Sequence, residues 1–258
     1  MLPIPGPAAG PDTAAPDTAA TPPRRRVLSV NTGRATAVEH TDAKGGLTGI
    51  GKRPVPGSVR VFAPGPRGVG ASGVEGDDVC DLRHHGGEHQ AVYAYAREDL
   101  DWWERELDRE LPGGTFGENL TTSGIDLTGA LLGERWRIGA DLVLEVASAR
   151  IPCRTFQGAL GEKAWVKRFT QAARPGAYLR VIQEGRVGAG DTVEIVHRPD
   201  HDVTVGLWFR AFTTERALLP RTLAAGAAME PQAHETVRTY MQAQSSRAQA
   251  DEPVTRGG

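Results

Sequence analysis

The chain has 258 residues, of which 39% are hydrophobic and 24% charged, and its formal net charge is −2. This composition is typical of an ordinary globular protein, and the near-neutral charge gives no reason to expect direct nucleic-acid binding. No apolar run approaches the ~20 residues that span a bilayer. Two cysteines, Cys80 and Cys153, are too few for a disulfide-dense secreted scaffold. We therefore expect a cytoplasmic protein with two free thiols.

The first 25 residues are rich in proline, alanine and threonine and contain the near-repeat "PDTAAPDTAA". A secretory signal peptide would begin with a basic region followed by an apolar core, whereas here the basic cluster comes after the proline-rich tract. Residues 1–25 are predicted to be a disordered tail.

From residue 26 to Pro199, short segments rich in β-branched and aromatic residues predict strands. They are "VLSV", "SVRVF", "AVYAYA", "RWRIGADLVLEVASAR" and, as two strands with glycine-rich turns, "AYLRVIQEGRVGAGDTVEIVH". A glycine-rich loop from Gly65 to Gly76 is long for a hairpin and is expected to be functional or mobile. Strands at intervals of roughly ten residues are typical of a barrel or sandwich. The fold class is predicted to be mainly β with α, with a β domain at 26–199.

Helices interrupt and follow these strands. In "REDLDWWERELDREL", Leu100, Trp103, Leu107 and Leu111 form one apolar stripe, and a proline with two glycines then stops the helix. "KAWVKRFTQAA" is predicted to be a short helix with Trp165, Val166 and Phe169 facing inward.

After Pro199 the pattern changes to helical periodicity. Three short helices are predicted at 200–244, with Pro231 in a first helical turn. We expect them to be an addition to a barrel that closes its own core. Residues 245–258 are predicted to be a disordered tail.

Five stretches carry residues suited to chemistry. They are Lys52-Arg53, His85-Gly86-Gly87 before a strand, Glu118-Asn119, Arg150 and Arg154 flanking Cys153, and Arg174 before a Pro-Gly turn. Each alone has an ordinary structural interpretation: solvated cations, a loop histidine, turn residues and a small buried thiol. Together, in this order, they are more specific than any one of them.

The phrases "GKRPVPGSVRV", "HHGGEHQAVYAY", "GTFGENLTTSGID", "RIGADLVLEVASARIPCRTF" and "VGAGDTVEIV" resemble the MOSC-domain family, molybdenum-cofactor sulfurase C-terminal domains, and most closely its YiiM-like branch. The resemblance covers about residues 27–198, and the following segment is similar to the three-helix appendage of that branch. It implies a MOSC-type β-barrel plus a small C-terminal helical domain.

The resemblance also implies a molybdenum-pterin cofactor (molybdopterin). Cys153 would ligate molybdenum or carry sulfur, since a thiolate is a soft ligand, and His85 would donate a proton to a leaving hydroxyl. The expected cofactor-binding residues are Lys52, Arg53, Gly86, Gly87, Glu118, Asn119, Arg150, Arg154 and Arg174.

The function implied is reduction of small N-hydroxylated compounds, such as 6-hydroxylaminopurine-type bases. No flavin, haem or iron–sulfur signature is visible in the sequence, so the electrons would come from a separate protein. Three alternatives remain open: a sulfur carrier or transferase using a Cys153 persulfide, a Cys-His hydrolase with Cys153 and His85 as nucleophile and base, and a cofactor-binding module without turnover.

Three features depart from the family pattern, and the first is the proline-rich tail at 1–25, which has no counterpart in it. Gln90 stands where relatives have a basic residue, and the stretch "APGPRGVGASGVEGDD" before the His-Gly-Gly motif is longer than expected. The extra stretch would cover the pocket, change the substrate or be inert.

Overall fold

The computed structural model describes residues 24–250, without the side chain of residue 250, so the predicted tail at 1–25 lies almost wholly outside the described residues. The strands are β1 (Arg26–Thr32), β2 (Thr36–Ala37), β3 (Leu47–Thr48), β4 (Arg53–Pro54), β5 (Ser58–Val61), β6 (Val92–Ala96), β7 (Leu120–Ser123), β8 (Arg135–Ile138), β9 (Leu142–Ser148), β10 (Ala177–Gln183), β11 (Gly185–Gly188) and β12 (Val193–His197). The helices are α1 (Arg97–Leu107), α2 (Arg154–Leu160), α3 (Trp165–Ala172), α4 (Val205–Thr213), α5 (Leu219–Thr222) and α6 (Pro231–Ala250).

Eight strands form one sheet in the order β12-β8-β9-β10-β6-β7-β1-β4, in which β6 and β7 pair in parallel and the other neighbours pair antiparallel. The sheet curls into a half-barrel. The start of β1 contacts the residues just before β12, at the opposite edge of the sheet: Arg26 forms an isolated β-bridge with Thr192, and the Val27 amide donates to the Asp191 carbonyl at 2.9 Å. The predicted mainly β fold of MOSC type is confirmed.

The apolar periodicity predicted several elements well. Val59 and Val61 of β5 are buried on one face, and α6 begins at Pro231 as expected. Helix α1 ends at Leu107, because Asp108 takes a left-handed conformation, so buried Leu111 belongs to the following loop. In α3, Val166 is exposed rather than inward-facing.

Two elements close to the later site were not predicted. Strand β7 is only four residues long and reads "LTTS", and it is buried because β6 and β1 flank it. Helix α2 contains Gly158, and a Cβ built there would lie 2.3 Å from the His40 ring. Both elements therefore depend on tertiary contacts that the local pattern does not show.

The helices after Pro199 are not a separate addition. Val203, Val205, Phe209 and Leu219 are fully buried in the same apolar cluster as the strands, and the Leu132 amide donates to the Val203 carbonyl at 3.0 Å. This differs from the expectation that the barrel closes its own core.

At the far end, α6 continues to Ala250, so residues 245–250 of the predicted disordered tail are helical; the rest of that tail lies outside the described residues. No helix in the described part of the chain is both long and apolar enough to cross a membrane.

Candidate functional site

A cavity of about 430 Å³ lies against the sheet. Its wall comes from several separate segments: residues 41–52, residues 67–93, residues 117 and 119, residues 148–155, Tyr178, and Trp208 and Glu230 of the helical region. A volume of this size accommodates a drug-sized molecule or a cofactor.

Cys153 lines this cavity and is half-buried. Strand β9 ends at Ser148, and the extended segment through buried Pro152 leads into α2, with Cys153 as the residue that precedes the helix. The Cys153 carbonyl accepts the Gln157 amide at 3.0 Å. The thiol therefore lies at the cavity wall, five residues beyond the end of the strand.

Arg150 is 5% exposed and lines the same cavity. Its guanidinium lies over the Phe156 ring at 4.3 Å and the Tyr93 ring at 5.1 Å, and Nη1 donates to the Phe116 carbonyl at 3.0 Å. Its Nε has no hydrogen-bond partner among the described residues. A buried cation in this state favours an anionic ligand.

Lys52 is also buried beside the cavity, but Asp77 neutralises it through a close ion pair. The Asp77 carboxylate further accepts from Ser72 Oγ at 2.6 Å, Asn119 Nδ2 at 2.9 Å and the Gly33 amide at 2.9 Å. Burial lowers the pKa of Lys52, and Asp77 opposes that effect. Asp77 is thus the centre of a polar network that the sequence analysis did not select.

The remaining cavity cations are paired as well. Arg67 Nη1 contacts Glu230 at 2.9 Å, and exposed Arg154 contacts Asp42 at 2.6 Å. Among the described arginines and lysines that line the cavity, Arg150 alone lacks a carboxylate partner.

His85 lines the cavity, and its amide donates to the Asp81 carbonyl at 2.9 Å. Burial, followed by the nearby Arg150 cation, lowers the pKa of His85 to about 4. The imidazole is therefore neutral at neutral pH, whereas the role expected from the sequence needs a proton on it.

The two glycines after His85 serve the packing of the loops. Both have a φ of 79°. A Cβ on Gly86 would lie 2.7 Å from the Ala71 carbonyl oxygen, and one on Gly87 would lie 2.6 Å from the Arg67 Cα. They let the residue 65–76 loop lie directly against the His-Gly-Gly turn, and Gly86, unlike Gly87, lines the cavity. Arg67 and Ser72 of that loop also line the cavity, so the loop is part of the cavity wall.

Glu118 and Asn119 have different surroundings. Fully buried Glu118 accepts from the Gly114 amide at 2.6 Å and the Phe116 amide at 3.0 Å, so it holds its own loop closed and does not line the cavity. Burial raises the pKa of Glu118. Asn119 does line the cavity, where its amide group contacts Asp77.

Two predicted cations lie elsewhere. Arg53 is exposed on β4 and is absent from the cavity wall. Arg174 contacts Asp99 at 2.5 Å and lies 4.8 Å from the Trp102 ring, also outside the wall. The structure thus brings Lys52, Arg150 and Arg154 together with Cys153 and His85, but not Arg53 or Arg174.

Several cavity residues were missed from the sequence. Trp208 and Glu230 follow Cys153 by more than fifty residues, and no local motif marks them. Asp77 had one signal, the adjacent carboxylates of "EGDD" after the long glycine-rich loop. Cys80, which the sequence analysis did not select as a site residue, also lines the cavity. Burial raises the pKa of its thiol, and Asp78 adds to the effect.

Known proteins resemble this chain in sequence. The family model described as the MOSC domain matches residues 81–194. The uncharacterized protein YflK of Bacillus subtilis (strain 168) is 35% identical over 182 residues, which is 70% of this chain and 78% of that protein.

Two further matches concern a named activity and a solved structure. A protein of Gibberella moniliformis (strain M3125 / FGSC 7600) named "Reductase" is 31% identical over 138 residues, 52% of this chain but 24% of that protein. The crystal structure of YiiM from Geobacillus stearothermophilus matches with a TM-score of 0.66 at 25% identity, covering 83% of this chain and 98% of that one. By the extent of these matches, the chain belongs to the MOSC-domain family and is YiiM-like.

Proposed function

We propose that the cavity binds a molybdenum-pterin cofactor and that the protein is an oxidoreductase that reduces N-hydroxylated compounds. The observation that carries the proposal is that one cavity is lined by both a cysteine and an unpaired cation. Cys153 offers a soft sulfur ligand, and Arg150 is buried without a carboxylate partner. The family in general binds the molybdenum cofactor, and one relative is named a reductase.

The residues present fit such a group. The cavity volume of about 430 Å³ suits a ligand of this size. No cluster of three or more histidine, cysteine or acidic side chains in the described part of the chain could hold a metal ion. A metal at Cys153 would therefore need most of its ligands from a cofactor rather than from the protein.

Each cavity residue then has a distinct task. Cys153 would ligate the metal, and Arg150 would donate charge-assisted hydrogen bonds to the anionic part of the cofactor. The bound molybdenum centre would supply the two-electron chemistry in which an N–OH group, two electrons and two protons give N–H and water. Asp77 would hold Lys52 and Asn119 in place at the wall.

His85 would handle a proton. Burial is the larger cause of the low pKa of His85 and the Arg150 cation the next, so an anion bound at Arg150 would raise that pKa part of the way and favour transfer of a proton through the imidazole to the leaving hydroxyl. The electrons would come from a separate donor protein.

The test compares Cys153→Ser with Cys80→Ser, both produced in a host that makes molybdenum cofactor. Serine replaces a soft ligand by a hard one with little change in volume. We expect wild type and Cys80→Ser to contain molybdenum and pterin and to reduce an N-hydroxylated base with a chemical electron donor, and Cys153→Ser to lose both.

Equal molybdenum content and activity in the two variants would remove Cys153 from the mechanism. A wild type without molybdenum, but with a Cys153-dependent persulfide, would favour the sulfur-carrier alternative.

A further inference from the structure

The mouth of the cavity, where its wall meets solvent, carries two large apolar side chains. Leu47 is 40% exposed and Ile151 is 44% exposed, and both line the cavity. In contrast, the unpaired cation Arg150 and the Lys52–Asp77 ion pair are each 9% exposed or less. The charged groups therefore lie deep in the cavity, and aliphatic surface lies where the cavity opens.

This placement of exposed apolar side chains is specific to the cavity. Of the large hydrophobic side chains that are exposed in the described part of the chain, only Leu47 and Ile151 line the cavity. The others lie outside its wall and are Val69, Val166, Ile182, Val196 and Met241. Single exposed hydrophobic residues are ordinary on a protein surface, whereas exposed hydrophobic residues that gather at one cavity are typical of a ligand-binding groove.

The two side chains stand on segments that contact each other. Leu47 lies on β3, which pairs with β2, and Asp42 lies in the loop between these two strands. The Asp42 carboxylate contacts Arg154 Nη1 at 2.6 Å. Arg154 directly follows Cys153, and Ile151 precedes Cys153 by two positions. The loop before β3 is therefore attached to the segment that carries both Ile151 and the thiol.

The mouth offers apolar surface rather than net charge. Arg154 and Asp42 are both exposed there and neutralise each other. A ligand that reaches Cys153 from solvent passes this neutral pair and can place its outer part against Leu47 and Ile151. Each methylene group that it buries there strengthens binding, by about fourfold when burial is complete.

We propose that Leu47 and Ile151 form an apolar subsite at the mouth of this cavity, and that it takes the uncharged alkyl or aryl part of a ligand whose polar end lies at Cys153 and Arg150. The inference rests on the proposed function and narrows the substrate class to N-hydroxylated compounds that carry an apolar substituent. The N–OH group lies in the deep, charged part of the cavity, and the substituent lies at the mouth.

The test measures binding of acetohydroxamic, butyrohydroxamic and hexanohydroxamic acid to the full-length protein by isothermal titration calorimetry, without an electron donor so that no turnover occurs. The probes share an N–OH group and differ only in the length of an uncharged alkyl chain. We expect affinity in the wild type to rise along the series by about two- to fourfold for each methylene group. Leu47→Ser and Ile151→Ser should each weaken binding of hexanohydroxamic acid about fivefold and leave acetohydroxamic acid within about twofold of wild type.

Ile182→Ser and Val196→Ser are the matched controls, because these side chains are exposed to a similar extent, 41% and 37%, but lie outside the cavity wall. Both should keep the wild-type gain in affinity with chain length, and melting temperatures identify any variant that fails to fold. Equal affinity of the wild type for the three probes, or an undiminished gain in folded Leu47→Ser and Ile151→Ser, overturns the subsite even when the protein contains molybdenum. The gain in a protein that acquires no molybdenum supports the subsite while contradicting the proposed function.

Discussion

Arg67 in the glycine-rich loop and Glu230 immediately before α6 form an ion pair, with 2.9 Å between Nη1 and Oε2, and both residues line the cavity. Arg67 Nη2 also lies 3.5 Å from the carbonyl oxygens of Arg83 and His84. One side chain thus connects the long loop, the His-Gly-Gly turn and the helical region, which shows that the cavity is assembled from distant parts of the chain.

Removal of residues 200–258 should prevent folding. Val203, Val205, Phe209 and Leu219 are fully buried in the common core, and their loss would expose the strands that they cover. We expect insoluble protein, or a molten globule whose circular dichroism spectrum keeps its far-ultraviolet signal but loses its near-ultraviolet signal.

The control is a chain that ends after residue 244, since the described residues beyond it are exposed. It should keep the wild-type melting temperature within a few degrees. A folded, cooperative protein ending at residue 199 would contradict the shared core.

Asp77→Asn should be strongly destabilising, because it leaves the Lys52 ammonium buried without its counter-ion. Breaking a buried ion pair in this way costs about 3–5 kcal/mol of the free energy of unfolding. Urea titration measures the loss, and the double variant Asp77→Asn with Lys52→Met should recover part of it.

Asp42→Asn breaks the exposed pair with Arg154 and serves as the comparison, with an expected loss of about 1 kcal/mol or less. Equal losses in the free energy of unfolding at the two aspartates would mean that the buried Asp77 network contributes no more to stability than an exposed ion pair.

His85 should titrate near pH 4 by nuclear magnetic resonance, well below the ordinary value of 6.5. Arg150→Met should raise the His85 pKa part of the way back, since burial, the larger cause, remains. Arg174→Met lies outside the cavity and should leave the titration unchanged. A His85 that titrates near 6.5 in the wild type would show that neither burial nor Arg150 acts on it.

The same shift makes stability depend on pH. Between about pH 6.5 and 4 the unfolded chain binds a proton at residue 85 that the folded chain does not. The His85 contribution to stability is therefore fully present above pH 6.5 and is lost as the pH falls towards 4. In His85→Gln this part of the pH dependence should disappear, which a series of urea titrations at different pH values would reveal.

Arg150→Met should lower the molybdenum content of protein from a cofactor-competent host, because it removes the unpaired cation of the cavity. A charge-assisted hydrogen bond lost at a buried site corresponds to about 10–100-fold in affinity. Arg53→Met and Arg174→Met, at the two predicted cations outside the cavity, should retain wild-type content. Losses of equal size in all three would indicate a general effect of charge rather than a specific site.

Much of this architecture follows from local pattern. Alternation placed β5, helical periodicity placed Leu100 and Trp103 on the buried face of α1, and Pro231 marked the start of α6. The ordered phrases also carried the family and brought Cys153 and His85 into consideration. These features could be predicted because each depends on residues that are neighbours in the chain.

The state of each charge and the composition of the cavity wall depended on long-range contacts. Sequence neighbours cannot show that Asp77 neutralises Lys52, that Arg53 stays on the surface, or that Arg150 has no partner. Nor can they place Trp208 and Glu230 in the same cavity wall as Cys153, because that wall forms only when the helical region packs on the curled sheet. Burial then determines which charges matter, since a cation shielded from water interacts far more strongly than the same cation on the surface.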